Sequence, residues 1–428
     1  MTCDDWRFVS LFSGAGGLDA GLEAAGWIPI AQVEMDKDAV GTLELAARRR
    51  EKTEGAVETK IYPERIEDIS PQKIREELHL DRGELPLMAG GPPCQPFTTH
   101  GLRLSISDAR ASGVWPAYLT YVDEFLPKAL LIENVDGLLS AALRHRPLNR
   151  RGKGHDALAL EEQKGSFLLW LVRELVSRGY TLTWGVAEAA DYGVPQLRQR
   201  SIIIGVRSDR PCFLPPRQFG GDGQKPYRTL KDALASLESL GAVQPLSERK
   251  RRVYENVPPG GNWRNLPAEM QRETMGAAHV ATGGKSGWWR RLAWDQPAPT
   301  ILGMPDHSST ALIHPAEVRC LSVLECAAAQ SFPPGYEVAG NPRSQYQQIG
   351  NAVPPLLGEA VGGQLRRYFL GEPQVEPEEP AWRKTSANRR IGTHGWVTAG
   401  PGKAPSLTLK VKVRPDHVWS HVAENFLA

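Results

Sequence analysis

Residues 8–17 read Phe8-Val9-Ser10-Leu11-Phe12-Ser13-Gly14-Ala15-Gly16-Gly17. Phe8 to Phe12 is a short apolar strand, and the glycine-rich turn after it runs straight into a helical pattern from Leu18 to Ala25 that stops at Gly26. Strand, glycine turn and helix form a nucleotide-binding start. Glycine lets the backbone approach a ligand closely, and a helix N-terminus offers unpaired amide donors. Trp27 to Val33 reads as a second strand, closed by Glu34 about twenty residues beyond the loop, where an acid binds ribose hydroxyls. The spacing Gly14-Ala15-Gly16-Gly17 is not G-x-G-x-x-G and points away from a dinucleotide. A tight turn that needs glycine for its own sake is the alternative. Asp68, beyond Tyr62 to Glu67, reads either as a partner for an adenine amino group or as a surface-loop acid.

Outward from this start the same rhythm continues. A helix is expected from Asp38 to Arg50, strands over Leu85–Ala89 and Ala129–Ile132, an amphipathic helix over Ser166–Ser177, and strands over Tyr180–Ala187 and Ser201–Val206. Strands alternating with helices imply an α/β, Rossmann-like, doubly wound and mostly parallel sheet covered on both faces. The rhythm breaks after Ser208. From Pro211 to about Ile313 the chain is rich in Pro, Gly, Trp and Arg, regular patterning returns near Val318, and Pro354 to Leu370 reads as a final helix. The expected organisation is a catalytic domain over 1–207, an irregular insert over 208–348, completion of the first domain over 349–371, and a linker and tail of unknown role over 372–428. The linker is the acidic, Pro-rich EPQVEPEEP, and Leu407 to Val413 is a possible strand.

Composition narrows the class. Of 428 residues 41% are hydrophobic and 23% charged, a globular balance, and no stretch approaches the roughly 18 apolar residues of a membrane span. The start lacks the basic flank and apolar run of a secretory signal, so a cytoplasmic protein without membrane association is expected. The five cysteines, Cys3, Cys94, Cys212, Cys320 and Cys326, form no C-x-x-C pair, so neither a zinc site nor a disulfide framework is expected. The net charge is +2, but basic residues cluster from Arg144 to His155 and from Glu248 to Arg252. Each cluster reads as a nucleic-acid patch or as a solvated loop.

The chemistry concentrates in three places. Gly90-Gly91-Pro92-Pro93-Cys94-Gln95-Pro96-Phe97 puts a cysteine directly after a buried strand, at the carboxyl end of a parallel sheet, with prolines fixing its direction. Only a thiolate attacks, so its pKa of roughly 8.5 has to be lowered by amides or a nearby arginine; the plain alternative is a small buried hydrophobe. Glu133-Asn134-Val135 ends another strand, so Glu133 is expected at the same edge as Cys94, partly buried and able to donate a proton. In Gln196-Leu197-Arg198-Gln199-Arg200 the alternation of extended chain puts Arg198 and Arg200 on one face, suited to a carbonyl oxygen and a phosphate or, alternatively, to an exposed edge strand.

Taken in order, these motifs resemble the DNA cytosine-5 methyltransferase family, of the bacterial or phage restriction-modification type. FSGAGG (12–17), Glu34, PPCQPF (92–97), ENV (133–135), QLRQR (196–200), the run from Arg319 to Pro333 and GNAVPP (350–355) all match, over about Trp6 to Leu370. The resemblance implies S-adenosylmethionine as cofactor, no metal, and a double-stranded DNA substrate. Cys94 would add to carbon 6 of a flipped-out cytosine. Glu133 would contact ring nitrogen 3 and the amino group, and Arg200, with Arg198 nearby, would polarise the carbonyl at position 2. Phe12 would lie against the adenine, within a pocket made by Ser13, Gly14, Ala15, Gly16 and Gly17. Glu34 beside Met35 would hold the ribose, Asp68 and Ile69 the adenine edge, and Pro93, Asn351 and Ala352 the remaining wall.

The insert would be a target-recognition domain, with Trp263, Trp288, Trp289, Arg290 and Arg291 favouring a duplex reader. Thr98 to Gly113, with Gly101 and Gly113 as hinges, would close over DNA. The resemblance further implies a monomer functionally paired with a separate restriction endonuclease. Thr98 stands where serine is common, Arg144 to Lys164 is an extended loop, and the tail lies outside the match. An RNA cytosine-5 methyltransferase would use the same cysteine. A nicotinamide oxidoreductase explains only the glycine loop, and a silent DNA-binding relative would not need both Cys94 and Glu133.

Overall fold

The structure is a computed structural model that describes residues 6–52, 57–93, 113–235, 237–280, 286–376, 394–399, 406–410 and 418–419. The first half of the chain runs β1 (Arg7–Leu11), α1 (Gly17–Ala24), β2 (Ile28–Val33), α2 (Lys37–Glu51), β3 (Lys60–Tyr62), α3 (Pro71–Glu77), β4 (Leu87–Gly90), α4 (Val114–Phe125), β5 (Ala129–Val135), α5 (Ser166–Ser177), β6 (Thr181–Glu188) and β7 (Gln199–Val206). The second half adds α6 (Leu230–Leu234), α7 (Glu248–Glu255), α8 (Ala268–Met275), α9 (Val323–Ala329), α10 (Pro342–Asn351), α11 (Pro355–Phe369), β8 (His394–Thr398) and β9 (Ser406–Lys410). The described strands form one sheet in the order β3-β2-β1-β4-β5-β7-β6-β8-β9.

β1 to β5 are parallel, as expected, and the chain reverses direction across the sheet between β1 and β4. β7 lies antiparallel between β5 and β6. The reason is the connection: a short link between β6 and β7, holding one turn of 3-10 helix at Ala189–Tyr192, cannot span a parallel crossover and so folds back as a hairpin. Central strands are buried on both faces, which is why Ala129–Ile132 of β5 and the Ile202-Ile203-Ile204 run of β7 are continuously apolar rather than alternating.

α11 closes the fold against α1. Both helices bring glycine to the contact, Gly17 and Gly21 from one, Gly358 and Gly362 from the other. A Cβ on Gly21 would stand 2.2 Å from the Pro355 carbonyl oxygen and 2.7 Å from the Glu359 nitrogen. The helix backbones therefore touch, an approach only glycine allows. This packing carries the segment before α11 onto the glycine loop: a Cβ on Gly17 would meet the Val353 carbonyl at 2.4 Å.

The insert has short helices, isolated bridges between Arg291 and Ile313 and between Ile313 and Cys320, and its own apolar cluster around Val253, Tyr254, Trp263, Trp289 and Ile313. Trp263 and Trp289 are buried there, and buried Arg291 donates to the carbonyls of His314 (Nε, 3.2 Å) and Val257 (Nη1, 3.2 Å). These three residues fill the interior of the insert, while Trp288 and Arg290 are half-buried. A second cluster joins the insert to the glycine loop: Ala15 packs with Leu230, Ile301 and Leu312 as well as with Leu321, Phe332 and Ile349.

The segment expected as a tail of unknown role extends the main sheet. β8 pairs antiparallel with β6, β9 with β8, and Trp419 stacks on Trp184 with centroids 5.7 Å apart. Among the described residues no helix is long and apolar enough to cross a membrane.

Candidate active site

Parallel pairing brings the carboxyl ends of β3, β2, β1, β4 and β5 to one edge, so Asp68, Glu34, residues 12–17, Pro93 and Glu133 follow one another along it. The crevice where strand order reverses, between β1 and β4, is where open α/β sheets bind ligands. Because β7 is antiparallel, its amino end comes to the same edge, and Arg200 pairs in register with Val135.

The loop after β1 is held from below and from the side. Phe12, Gly14 and Gly16 all take left-handed backbone (φ 57, 54 and 68). Glu34 accepts hydrogen bonds from the amides of Gly14 (Oε2, 2.7 Å), Met35 (Oε1, 2.9 Å) and Asp36 (Oε1, 2.9 Å). The Ser13 hydroxyl donates to Ser10 Oγ at 2.9 Å, Ser10 Oγ donates to Asp19 Oδ1 at 2.7 Å, and Gln32 Nε2 donates to Asp19 Oδ2 at 2.6 Å. Tyr336 Oη donates to the Ala15 carbonyl at 2.7 Å and would touch any side chain on Gly16.

Among the described residues nothing lies within 4 Å of a Cβ placed on Gly14, and Met35, an apolar side chain beside the acid, is 61% exposed. A cradle of this kind, with a carboxylate at one side, fits the donor and acceptor set of a nucleoside. Ile69 is buried, whereas Asp68 is exposed and 3.8 Å from Arg65 Nε. Asn351 ends α10 exposed, and Ala352 is buried.

On the other side of the crevice, Glu133 and Arg200 form an ion pair at 2.8 Å (Oε1 to Nε), with both side chains about nine-tenths buried. Burial pushes the Glu133 carboxyl above its ordinary value, against the pull of Arg200 and then Arg198. Gly91 leaves room for it, since a Cβ there would sit 3.0 Å from Glu133 Oε2. Asn134 Nδ2 donates to the Pro92 carbonyl at 2.8 Å, so the ENV strand end holds the turn that leads into Cys94. Pro93 is exposed. Cys94 and Thr98–Ser112 lie outside the described residues. Cys212, Cys320 and Cys326 are free, buried, and have thiols pushed up by burial, Cys320 to about 12. None of these three is a thiolate near neutral pH.

The two arginines part company. Arg198, 1% exposed, turns into the interior and donates to the carbonyls of Ile301 (Nη1, 3.0 Å), Gly350 (Nη2, 2.7 Å) and Ala352 (Nη2, 3.0 Å). Gln196 accepts from the Ile301 amide at 2.9 Å and donates to Gln330 Oε1, while Gln330 donates to the carbonyls of Ile349 (2.8 Å) and Ala352 (2.9 Å). The expectation of two guanidinium groups presented side by side is thereby corrected: one is turned inward onto buried carbonyls, of which Ala352 is shared with Gln330.

A family model described as C-5 cytosine-specific DNA methylase matches residues 6–153 and 156–367. The chain belongs to the C-5 cytosine-specific DNA methylase family. It is therefore a methyltransferase enzyme with the α/β fold of that family. Among its relatives are the Type II methyltransferase M.Sau96I of Staphylococcus aureus, 34% identical over 85% of this chain and 76% of the relative, and M.Eco47II of Escherichia coli, 36% identical over 83% and 78%. In fold it is similar to a prophage-encoded Escherichia coli protein described as a DNA modification methyltransferase (TM-score 0.54, 22% identity, 86% of this chain and 99% of that one). It is similar also to a DNMT2 mutant of Spodoptera frugiperda (TM-score 0.50, 16% identity, 84% and 99%).

Sequence reading of this methylase missed several residues around the site. Asp19 carried a legible signal, an acid on the apolar side of α1. Asn134 and Gln330 stood inside matched motifs, ENV and the run from Arg319 to Pro333, but their partners carried no signal, because a side-chain amide aimed at a distant carbonyl has no local pattern. Glu188 is another: its Oε1 accepts from the Arg198 amide at 2.5 Å, and burial pushes its carboxyl up to about 7.

Proposed function

We propose that this methylase transfers a methyl group from S-adenosylmethionine to carbon 5 of a flipped-out cytosine in a specific duplex DNA sequence, with Cys94 as covalent nucleophile. The observation that carries the reading is the buried Glu133–Arg200 pair at the sheet edge, one strand from the turn that Asn134 fastens ahead of Cys94. S-adenosylmethionine supplies a sulfonium methyl when bound, and Phe12, residues 13–17, Glu34, Met35, Asp68, Ile69, Pro93, Asn351 and Ala352 are the residues we assign to hold it.

Carbon 5 of cytosine is a poor nucleophile. Addition of the Cys94 thiolate at carbon 6 forms an S–C bond and pushes the ring electrons toward nitrogen 3 and carbon 5. Glu133, whose carboxyl burial pushes above its ordinary value, donates a proton to nitrogen 3 and accepts from the amino group; Arg200 polarises the carbonyl at position 2. Carbon 5 is then electron-rich enough to take the methyl group. Loss of its proton to a base restores the double bond, breaks the S–C bond and returns the thiolate. The target atom is unreachable inside a duplex, so the base leaves the stack at a cost of a few kcal/mol. Arg198 acts as a positioning residue, tying the Arg200 strand to the insert and to the turn before α11.

The insert, over 208–348, is assigned to target recognition. The setting we infer, from relatives named as Type II methyltransferases, is protection of DNA from a separate endonuclease by a monomeric enzyme in the cytoplasm. Methyl transfer from labelled S-adenosylmethionine to unmodified duplex DNA, followed by base analysis, tests the reading. Label at carbon 5 of cytosine is expected, abolished by Cys94→Ala. Transfer to RNA with none to varied duplexes would overturn it.

A further inference from the structure

The loop between β5 and α5 spans residues 136–165, and the family match breaks inside it, between 153 and 156. It is nonetheless a built object. Its ends are closed by the Gly165 amide on the Ala141 carbonyl (3.0 Å), and the Arg144 amide donates to the Glu161 carbonyl (2.8 Å). Inside it, Glu162 is buried and takes both Arg144 (3.2 Å) and Arg146, and Arg146 reaches across to the Asp156 carbonyl at 2.7 Å. Arg151 Nε donates to the Arg146 carbonyl at 2.6 Å. The chain's C-terminal segment fastens the exit: the Val418 amide donates to the Lys164 carbonyl at 2.9 Å. This frame uses its internal cations on one buried acid and carries Arg150, Lys153 and His155 exposed at its tip. Gly152 and Gly154, both at φ 90, have nothing within 4 Å of a Cβ among the described residues, which leaves the tip backbone open to a partner.

Position decides what that partner is. The loop leaves β5 directly after Glu133-Asn134-Val135 and enters α5 on the way to β6, which runs parallel to β5, so it stands on the same edge as the Glu133–Arg200 pair. A cationic tip at the edge of a site that receives a polyanion meets that polyanion's phosphates. We propose that residues 149–155 form a phosphate clamp on duplex DNA flanking the target base, contacting the backbone without reading sequence. This rests on the DNA methylase reading above.

Fluorescence anisotropy of the full chain on duplex DNA, titrated from low to moderate salt, tests it. Arg150→Gln with Lys153→Gln is expected to reduce the slope of log affinity against log salt by about 2, one counterion per lost contact, with equal weakening on duplexes of unrelated sequence. Asp156→Asn, which removes an exposed acid from the same tip, is expected to tighten binding, a gain that misfolding does not produce. Removing the same charge from the opposite edge, Arg82→Gln with Lys128→Gln, is expected to leave the slope as in wild type. An unchanged slope in the loop variant, or equal changes from both edges, overturns the clamp while leaving the methylase reading intact. Failure of the wild type to bind duplex DNA at any salt overturns both.

Discussion

A carboxyl group and a guanidinium that meet at 2.8 Å, each about nine-tenths buried, form the pair to which we assign the chemistry: a surface pair would contribute little, and a purely structural buried pair is replaceable by apolar packing. Glu133→Gln keeps the shape and the hydrogen bond to a ring nitrogen but cannot adjust its charge. Single-turnover methyl transfer is expected to fall about 10²- to 10⁴-fold, with the melting temperature little changed. Arg198 and Arg200 separate by measurement. Arg198→Met takes the guanidinium from the Ile301 and Gly350 carbonyls, Ala352 keeping Gln330, and should cost about 2–5 kcal/mol in chemical denaturation; Arg200→Ala should reduce transfer far more than it reduces stability. Equal stability losses from the two would contradict the division of labour.

Glu188 adds a pH signature. Its carboxyl rises from an ordinary 4.5 to about 7, so in that window the folded chain holds a proton the unfolded chain has released. Stability from this group is full below pH 4.5 and is lost as pH rises through 7. The melting temperature of Glu188→Gln relative to wild type should therefore rise from pH 5 to pH 7.5; a flat or falling difference would count against it.

At the scale of elements, the closest contact is the least forgiving. Gly21→Ala on α1 would place a methyl group against Pro355 O, Glu359 N and Gly358 Cα, all backbone and all within 2.8 Å. We expect a loss of about 1–3 kcal/mol and, because α11 carries the 351–353 turn against the glycine loop, weaker S-adenosylmethionine binding by calorimetry. Wild-type affinity in a folded variant would detach the helix pair from the pocket. Most of these elements were legible, since β1, α1, β2 and α5 declare themselves by period and by flanking glycine. β3 and α3 were missed because three-residue strands and seven-residue helices carry too little pattern. The edge holding Glu34 and Glu133 followed from parallel pairing alone. The parting of Arg198 from Arg200 did not, because it depends on carbonyls a hundred or more residues away.

For the whole molecule, the C-terminal segment is part of the sheet. Truncation after Gly371 would uncover the β6 edge and the Trp184 face and release the Lys164 end of the β5–α5 loop. The expected result is a lower denaturation midpoint and weaker DNA binding together; an unaltered midpoint would return the segment to the status of a tail. The central claim, a covalent path through Cys94, is tested most directly with duplex DNA carrying 5-fluorocytosine, whose fluorine cannot leave as a proton does. Incubated with S-adenosylmethionine, wild-type enzyme should form a denaturation-resistant adduct that peptide mass analysis places on Cys94, and Cys94→Ala should form none. An adduct on Cys212, Cys320 or Cys326, or turnover of ordinary DNA by Cys94→Ala, would contradict it.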